Sequence, residues 1–471
     1  MKVILAGYNL DTEVIKELRK GKEVPAATPE TISAAYARIS RDKRPVDELR
    51  AVARREVEKA RQSNRKIIFS MGHHSIAEHA VFNFDIMGVS RLAIEELERF
   101  RLCSYTEKSQ RYQKLENNFV IPEEIKGTEF EKEFVGIIRT QNEFYQRLCE
   151  EIEEEDARYI TGLATEGQLG LTINARNLEL LVRRFASHEL KEVQNLGKEM
   201  FKAVEKIAPS IILFTEANDF DQKTYPALRE YFQGLEGSRR EEKGLEGKGE
   251  VQLVDYTPEA DVKVVASLMH TSTDLPYKEC LKKAKAMSLE EKKEVVKTAC
   301  QHLELYDAVL REFEHVDLTY NLIISAAGFG QLKRHRIATL TYQKYTPRLG
   351  VTLPKTIKDR EEFMRIVEQT DKVYERINQK LPAVAPYILT NAHRRRVLLK
   401  INARELYHMA RLREDKAAQW DIRERTSEMV NLAKAVMPLT FLFISGKDQY
   451  PKIYQEIFGH PPKVIEVQLP T

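Results

Sequence analysis

INARNLELLVRRF at residues 173–185 and INARELYHMARLR at residues 401–413 open on the same four residues and continue with helical spacing. Working outward, each follows the same landmarks in the same order. In the first half these are PETISAAYARISR (29–41), GHHSIAEHAVFNFDI (72–86) and RFRLCSYTEKSQRY (99–112). In the second they are ADVKVVASLMHTS (260–272), REFEHVDLTYNLI (311–323) and RHRIATLTYQKYT (334–346). An ordered series that recurs at a period near half the chain is the signature of a tandem duplication. AVFNFDIMGV and VDLTYNLII alternate bulky and polar residues as strands do, whereas SRLAIEELERF and AAGFGQLKR have helical spacing. The expected fold is therefore α/β, of the α+β type: two copies of one unit, each a mixed sheet flanked by helices.

Residues 233–250, QGLEGSRREEKGLEGKGE, hold five glycines and many charges but only two leucines. Such a stretch cannot bury apolar surface and reads as a linker. The expected domains are 1–232 and 251–471, in keeping with a length of 471 residues, too long for one ordinary core. The 75 Lys and Arg nearly balance 72 Asp and Glu, so no bulk attraction to nucleic acid or a membrane surface is implied and any basic site is local. No apolar run approaches the roughly 20 residues of a membrane span, and the N-terminus lacks a signal peptide's apolar core. These features point to a cytoplasmic protein. Cys103, Cys149, Cys280 and Cys300 are widely spaced and suggest neither a disulfide framework nor a zinc knuckle.

Arginines at i and i+2 lie about 200° apart on a helix but on one side of extended chain. Arg99 with Arg101, and Arg334 with Arg336, can thus converge where a helix gives way to a loop. Glu96, Glu107, Ser109, Arg111 and Tyr112 lie close by in sequence. Paired guanidiniums and a hydroxyl suit bidentate phosphate recognition, and a neighbouring carboxylate suits a base or ribose, so a nucleotide fits better than free phosphate. Ser109 has no His beside it for a hydrolytic triad. In GHHSIAEH, His74 and His79 lie off the spacing of an inverted zincin, and no carboxylate or cysteine completes a metal set; a structural turn and a ligand-lining loop are the remaining readings. The runs NAHRRRV (391–397) and EEIEEEDAR (150–158) read as solvated faces. INARELYHMARLREDKAAQWDIRERTSEMV (401–430) reads as one long amphipathic helix, with Asn402 and Arg413 on one face beside Arg404 and His408.

In these residues the chain resembles the flavin-dependent thymidylate synthases, which carry a GHxSxxEH loop, an arginine-rich R-H-R signature followed by Ser, and a later N-A-R helix. The first half is similar at GHHSIAEH, at RFRLCSYTEKS, at Asp156-Ala157-Arg158 and at Asn174-Ala175-Arg176. The second is similar at Glu314-His315, at Gln331 with Arg334-His335-Arg336, at Asn402-Ala403-Arg404, at Arg413 and at AQWDIR (418–423). The resemblance implies one-carbon transfer from methylenetetrahydrofolate to C5 of deoxyuridylate, with FAD as redox carrier and NADPH as reductant. It implies catalytic roles for Arg99, Arg101, Ser109 and Arg413, with Ser109 positioning the nucleotide rather than attacking it. Substrate binding would fall to Glu96, Glu107, Ser109, Arg111, Arg158 and Arg413. Flavin binding would fall to His79, Asn174, Arg176, Arg334, His335, Arg336, Asn402, Arg404 and His408. Family members form homotetramers, so two of these chains would supply four units.

The departures are distributed unevenly. In the first half Phe100 replaces the signature His, Glu96 the preceding Gln and Phe185 the late Arg. In the second, Tyr342, Lys344 and Thr346 replace the Glu, Ser and Arg of the loop, and Pro386 the Arg ahead of Asn402. Two complementary remnants imply one good class of composite site, first-half loops facing second-half helices, and one degenerate class. A relative acting on another pyrimidine or one-carbon unit, and a nucleotide-binding protein without catalysis, are the alternatives.

Overall fold

The computed structural model describes residues 1–233 and 249–463. The expected linker at 233–250 lies, apart from its ends, outside the described residues. By contact the chain divides into two compact units, residues 1–240 with 356–390 and residues 241–355 with 391–471. The division expected from sequence runs in chain order; here residues 356–390 belong to the first unit.

The first unit is built on strands β1 (Lys2–Tyr8), β2 (Val81–Ser90), β3 (Cys103–Glu107) and β4 (Glu166–Asn174), in the order β1-β2-β4-β3. Every pairing is antiparallel, which resolves the expected mixed sheet. Period-two alternation buries Phe82, Phe84 and Ile86 while Asn83 and Asp85 face out. Helix Glu131–Leu148 packs on helix Arg360–Lys380. Their rings Phe144 and Phe363 meet at 6.4 Å, and the buried Gln141 donates to Thr370 Oγ1 and to the Ile388 carbonyl, both at 2.9 Å.

The second unit has β5 (Val251–Tyr256), β6 (Asp317–Ser325), β7 (Thr339–Tyr342), β8 (Thr346–Val351) and β9 (His393–Asn402), ordered β5-β6-β9-β7 with β8 also on β9. All pairings are again antiparallel. The two copies agree at their capping residues. Ser90 and Ser325 end the second strand of each unit and accept from Ala93 N and Gly328 N, at 3.0 and 2.9 Å. Asn174 and Asn402 end β4 and β9 and accept from Asn177 N and Glu405 N, at 2.9 and 2.8 Å. Each satisfies one of the backbone donors that a helix start leaves unpaired.

The single helix expected over 401–430 is two, Ala403–Arg413 and Trp420–Val436. Asp415 Oδ1 accepts from Ala417 N at 2.9 Å, and Gln419 Oε1 accepts from Asp421 N at 3.0 Å. Such local side-chain bonds compete with the helical ladder and start a new helix.

Candidate functional site

In the first unit, helix Arg91–Leu97 follows directly from β2, and its first residue is a buried arginine. Arg91 lies 3.9 Å from Glu107 at the end of β3. Beyond that strand Arg111 pairs with Glu155 at 2.5 Å, and Arg111 N donates to Ser109 Oγ at 3.2 Å. Arg158, held by a 3.1 Å bond from Nε to the Glu155 carbonyl, is also buried. Burial, followed by the charges of Arg91 and Arg111, holds its guanidinium down at about 10, with Tyr159 and Glu155 acting against them. Three guanidiniums therefore converge near Glu107 and Ser109, with the carboxylates of Glu95, Glu107 and Glu155 among them. Like charges brought together out of water raise the free energy of the fold and favour an anion that bridges them.

Arg91 was not among the residues singled out from sequence. The run EEIEEEDAR, expected to be a solvated face, instead buries Asp156 and Arg158, and Asp156 accepts from Thr356 Oγ1 at 2.6 Å. Glu96 and Arg99 stand apart from this cluster. They pair at 2.7 Å and line a different cavity with Phe100 and Phe185. Arg101 lies exposed in the connection to β3.

The loop residue His79 sits at the end of a 3-10 turn, edge-on to Tyr36 at 4.7 Å. Arg176 pairs with Glu78 of that turn at 2.5 Å. In the second unit Arg404 repeats the arrangement, 3.2 Å from Glu314, with Nε donating to the Val309 carbonyl at 2.8 Å. Asn174 and Asn402 spend their side-chain oxygens on caps.

Arg413 ends its helix as the centre of a polar group. Its guanidinium donates to Gln331 Oε1 and to His335 Nε2, both at 3.1 Å. Because Nε2 accepts, the proton of His335 sits on Nδ1, 3.4 Å from Glu405. Burial pushes the His335 pKa down, Glu405 opposes it, and Arg413 adds to the fall, so the ring is neutral. His408 stands 5.8 Å from it, edge-on and exposed. Arg334 and Arg336 are half-buried on either side of His335.

NAHRRRV, expected on a solvated face, is part of the central strand β9. Its Arg395 is buried, 4.7, 4.1 and 3.9 Å from the ring centres of Phe329, Tyr342 and Tyr345. Nε donates to the Gln343 carbonyl at 2.9 Å. A guanidinium among three aromatic faces is a stable closed arrangement, and it occupies the loop in which Tyr342 and Lys344 replace acidic and hydroxyl residues.

A family pattern described as "Thymidylate synthase complementing protein" matches residues 24–210 and again 252–439. The chain belongs to this family, in two consecutive copies. A flavin-dependent thymidylate synthase of Clostridium tetani is 32% identical over 169 residues, 32% of this chain and 68% of that protein. A UPF0159 protein of Thermoplasma acidophilum is 23% identical over 478 residues, 86% of this chain and 93% of its own length. Among solved structures, thymidylate synthase X of Helicobacter pylori with FAD and dUMP is similar at 21% identity and a TM-score of 0.34, covering 47% of this chain and all of that one. The duplicated family match and the duplicated caps identify the same two copies. Among the described residues no helix is long and apolar enough to cross a membrane.

Proposed function

We propose that this protein is a cytoplasmic flavin-dependent enzyme acting at C5 of a uridylate-type nucleotide, converting deoxyuridylate to thymidylate with methylenetetrahydrofolate and NADPH as co-substrates. The observation that carries the reading is the convergence of Arg91, Arg111 and Arg158 near Glu107 and Ser109. Guanidinium forks bind a phosphate through paired hydrogen bonds. Preorganised cations also stabilise negative charge that develops as the pyrimidine C5 becomes nucleophilic. The Ser109 hydroxyl, fixed by Arg111 N, is placed to orient the nucleotide.

The donor sets fit an anionic, acceptor-rich cofactor. In the second unit Arg334 and Arg336 flank a neutral His335 with His408 beside it, and Arg404 lies against Glu314 with Asn402 at the helix start. In the first unit His79, Asn174 and Arg176 are retained, but Phe100 stands at the imidazole position. These residues would hold FAD, which supplies the redox chemistry when bound. Arg101 would add to nucleotide binding. Glu96 and Arg99, which line a separate cavity, take no part in it. Arg413 would bind nucleotide or flavin in the second unit. Assembly into at least a dimer, which provides four units, belongs to the same reading; a monomer in sedimentation at micromolar concentration would count against it.

The test is the absorbance spectrum of the purified protein, before and after reconstitution with FAD, followed by assay of deoxyuridylate, methylenetetrahydrofolate and NADPH for thymidylate. Arg395 filling the second unit's loop favours a second reading, a nucleotide-binding protein without catalysis. Colourless protein that takes up no flavin would establish that one. Flavin uptake with turnover of another pyrimidine would identify a diverged relative.

A further inference from the structure

Helix Asp219–Gln233 of the first unit buries none of its 15 residues. On it Phe220, Tyr225, Leu228, Tyr231 and Phe232 are 61, 64, 44, 77 and 48% exposed. A helix of that length is marginal alone in water, and most helical stability in proteins comes from packing an apolar face. The second unit holds a helix of like sequence, in which Asp448-Gln449 and Tyr450-Pro451 repeat Asp221-Gln222 and Tyr225-Pro226. That helix, Tyr450–Phe458, is packed: Tyr450 and Tyr454 are buried in the core of the second unit, and Ile457 and Phe458 lie against it. The first copy keeps the aromatic residues without the cover.

One side of the helix is tied down. Asp221 pairs with Arg183 at 3.0 Å and Arg184 at 2.9 Å, and Tyr225, one turn on, shares that side. Round the helix from these, Phe220, Thr224, Ala227, Leu228 and Tyr231 follow at i, i+4, i+7, i+8 and i+11, the spacing of an apolar stripe. Its middle is small and each end carries an aromatic ring. Such a stripe is its own complement when a second copy runs antiparallel, because Phe220 then meets Tyr231 of the second copy and Thr224 meets Ala227. Lys223 and Glu230, seven residues apart, line one edge of the stripe. Antiparallel pairing sets Lys223 of each copy beside Glu230 of the other, whereas parallel pairing sets it beside Leu228. Within its own helix Lys223 is 2.8 Å from Asp219, an exposed pair that costs little to open.

We propose that this stripe joins two copies of the chain through an antiparallel pair of helices Asp219–Gln233. The proposal names the surface for the assembly into at least a dimer inferred above, and rests on that assembly rather than on the chemistry. A large aromatic side chain presents roughly 150–250 Å², so at these exposures each copy offers on the order of 500 Å². Two copies together reach about 1,000 Å², the lower bound of a specific interface. A lipid surface fits less well. The helix carries Asp219, Asp221 and Glu230 against Lys223 and Arg229, without the basic face that draws an amphipathic helix to anionic lipid.

Sedimentation of the full chain over micromolar concentrations tests it. Tyr231→Glu is expected at half the mass of the wild type, and a retained cooperative unfolding transition shows that the variant is folded. Lys223→Glu and Glu230→Lys should each weaken association about fivefold, since like charges then face each other, and the double exchange should restore it. A monomeric wild type overturns the proposal together with the assembly. Three results overturn the proposal alone: a wild-type mass kept by Tyr231→Glu, a double exchange no tighter than the single ones, or vesicles of phosphatidylcholine and phosphatidylserine that pellet the wild type but not Tyr231→Glu. Flavin absorbance, measured on the same samples, reports separately on the catalytic reading.

Discussion

Arg413 Nε donates to His335 Nε2 at 3.1 Å, and at the two corresponding positions of the first unit Phe185 meets Phe100 ring to ring at 5.7 Å. The same backbone framework supports a polar pair in one copy and an aromatic pair in the other. Because Arg413 requires an unprotonated Nε2, the pair binds the proton state of His335 to the fold. Burial lowers the His335 pKa below its ordinary value of 6.5, so the unfolded chain takes up a proton there more readily than the folded one. Stability from this group is present above that value and falls as pH is lowered through it. Denaturant midpoints measured across that window should decline toward acid, and His335→Gln should flatten the decline. An unchanged slope in the variant would show that other groups carry it.

Removing the cation at Arg413 leaves Gln331 and His335 without their donor. Arg413→Ala should lower stability by about 1–3 kcal/mol and weaken nucleotide or flavin binding. A variant of full stability and full affinity would remove Arg413 from both roles.

Arg158 separates function from stability. It is buried near two like charges, and a hydrophobic residue of similar length relieves both burial of charge and repulsion. Arg158→Met should leave the unfolding midpoint unchanged or raise it, while weakening deoxyuridylate by about 2–5 kcal/mol, as expected when one partner of a charged contact is lost. Calorimetry alongside denaturant unfolding checks both signs. Affinity kept intact would exclude Arg158 from the nucleotide site.

A third polar group is structural. Glu192 Oε2 accepts from Ser90 Oγ and from the Tyr387 hydroxyl, both at 2.6 Å, and Oε1 accepts from Ser90 N at 2.7 Å. The second unit repeats the idea, with Ser325 Oγ donating to Asp421. Glu192→Ala would strand three buried donors, and a loss of about 3–5 kcal/mol is expected by chemical denaturation. Tyr387→Phe removes only one donor and should cost about 1 kcal/mol.

The duplication was legible because its clearest landmark, the asparagine of each INAR segment, makes local structure as a strand-ending helix cap whose role depends on a few neighbours. Arg395 was misread as part of a charge run, although its signal was present: it is in phase with Val397, Leu399 and Ile401, the buried face of a strand of period two. Arg91 gave less warning, since a lone arginine opening an apolar helix is ordinarily solvated. The break after Arg413 contains neither Gly nor Pro, and only the capping capacity of Asp415 and Gln419 marks it. Sequence order could not reveal that helix Arg360–Lys380 packs on Glu131–Leu148, because an amphipathic stripe specifies that a face is buried but not against which partner.

The three changes between the copies should behave as one coupled set. Phe185 is buried and meets both Phe100 and His188. Phe185→Arg alone replaces a ring contact with a cation beside an apolar ring, at an expected cost of about 2–4 kcal/mol. Phe100→His and Glu96→Gln alone each remove a partner, the stacked ring or the carboxylate of the Arg99 and His188 contacts. Installed together, the three recreate the acceptors that Arg413 uses in the second unit, an imidazole Nε2 and a side-chain amide oxygen. The triple variant should therefore be more stable than the sum of the single changes by at least about 1 kcal/mol, well outside the roughly 0.5 kcal/mol scatter of independent sites. Denaturation of all combinations decides the matter: additive energies would mean that the substitutions accumulated separately and that the aromatic pair has no bearing on the contacts of Glu96.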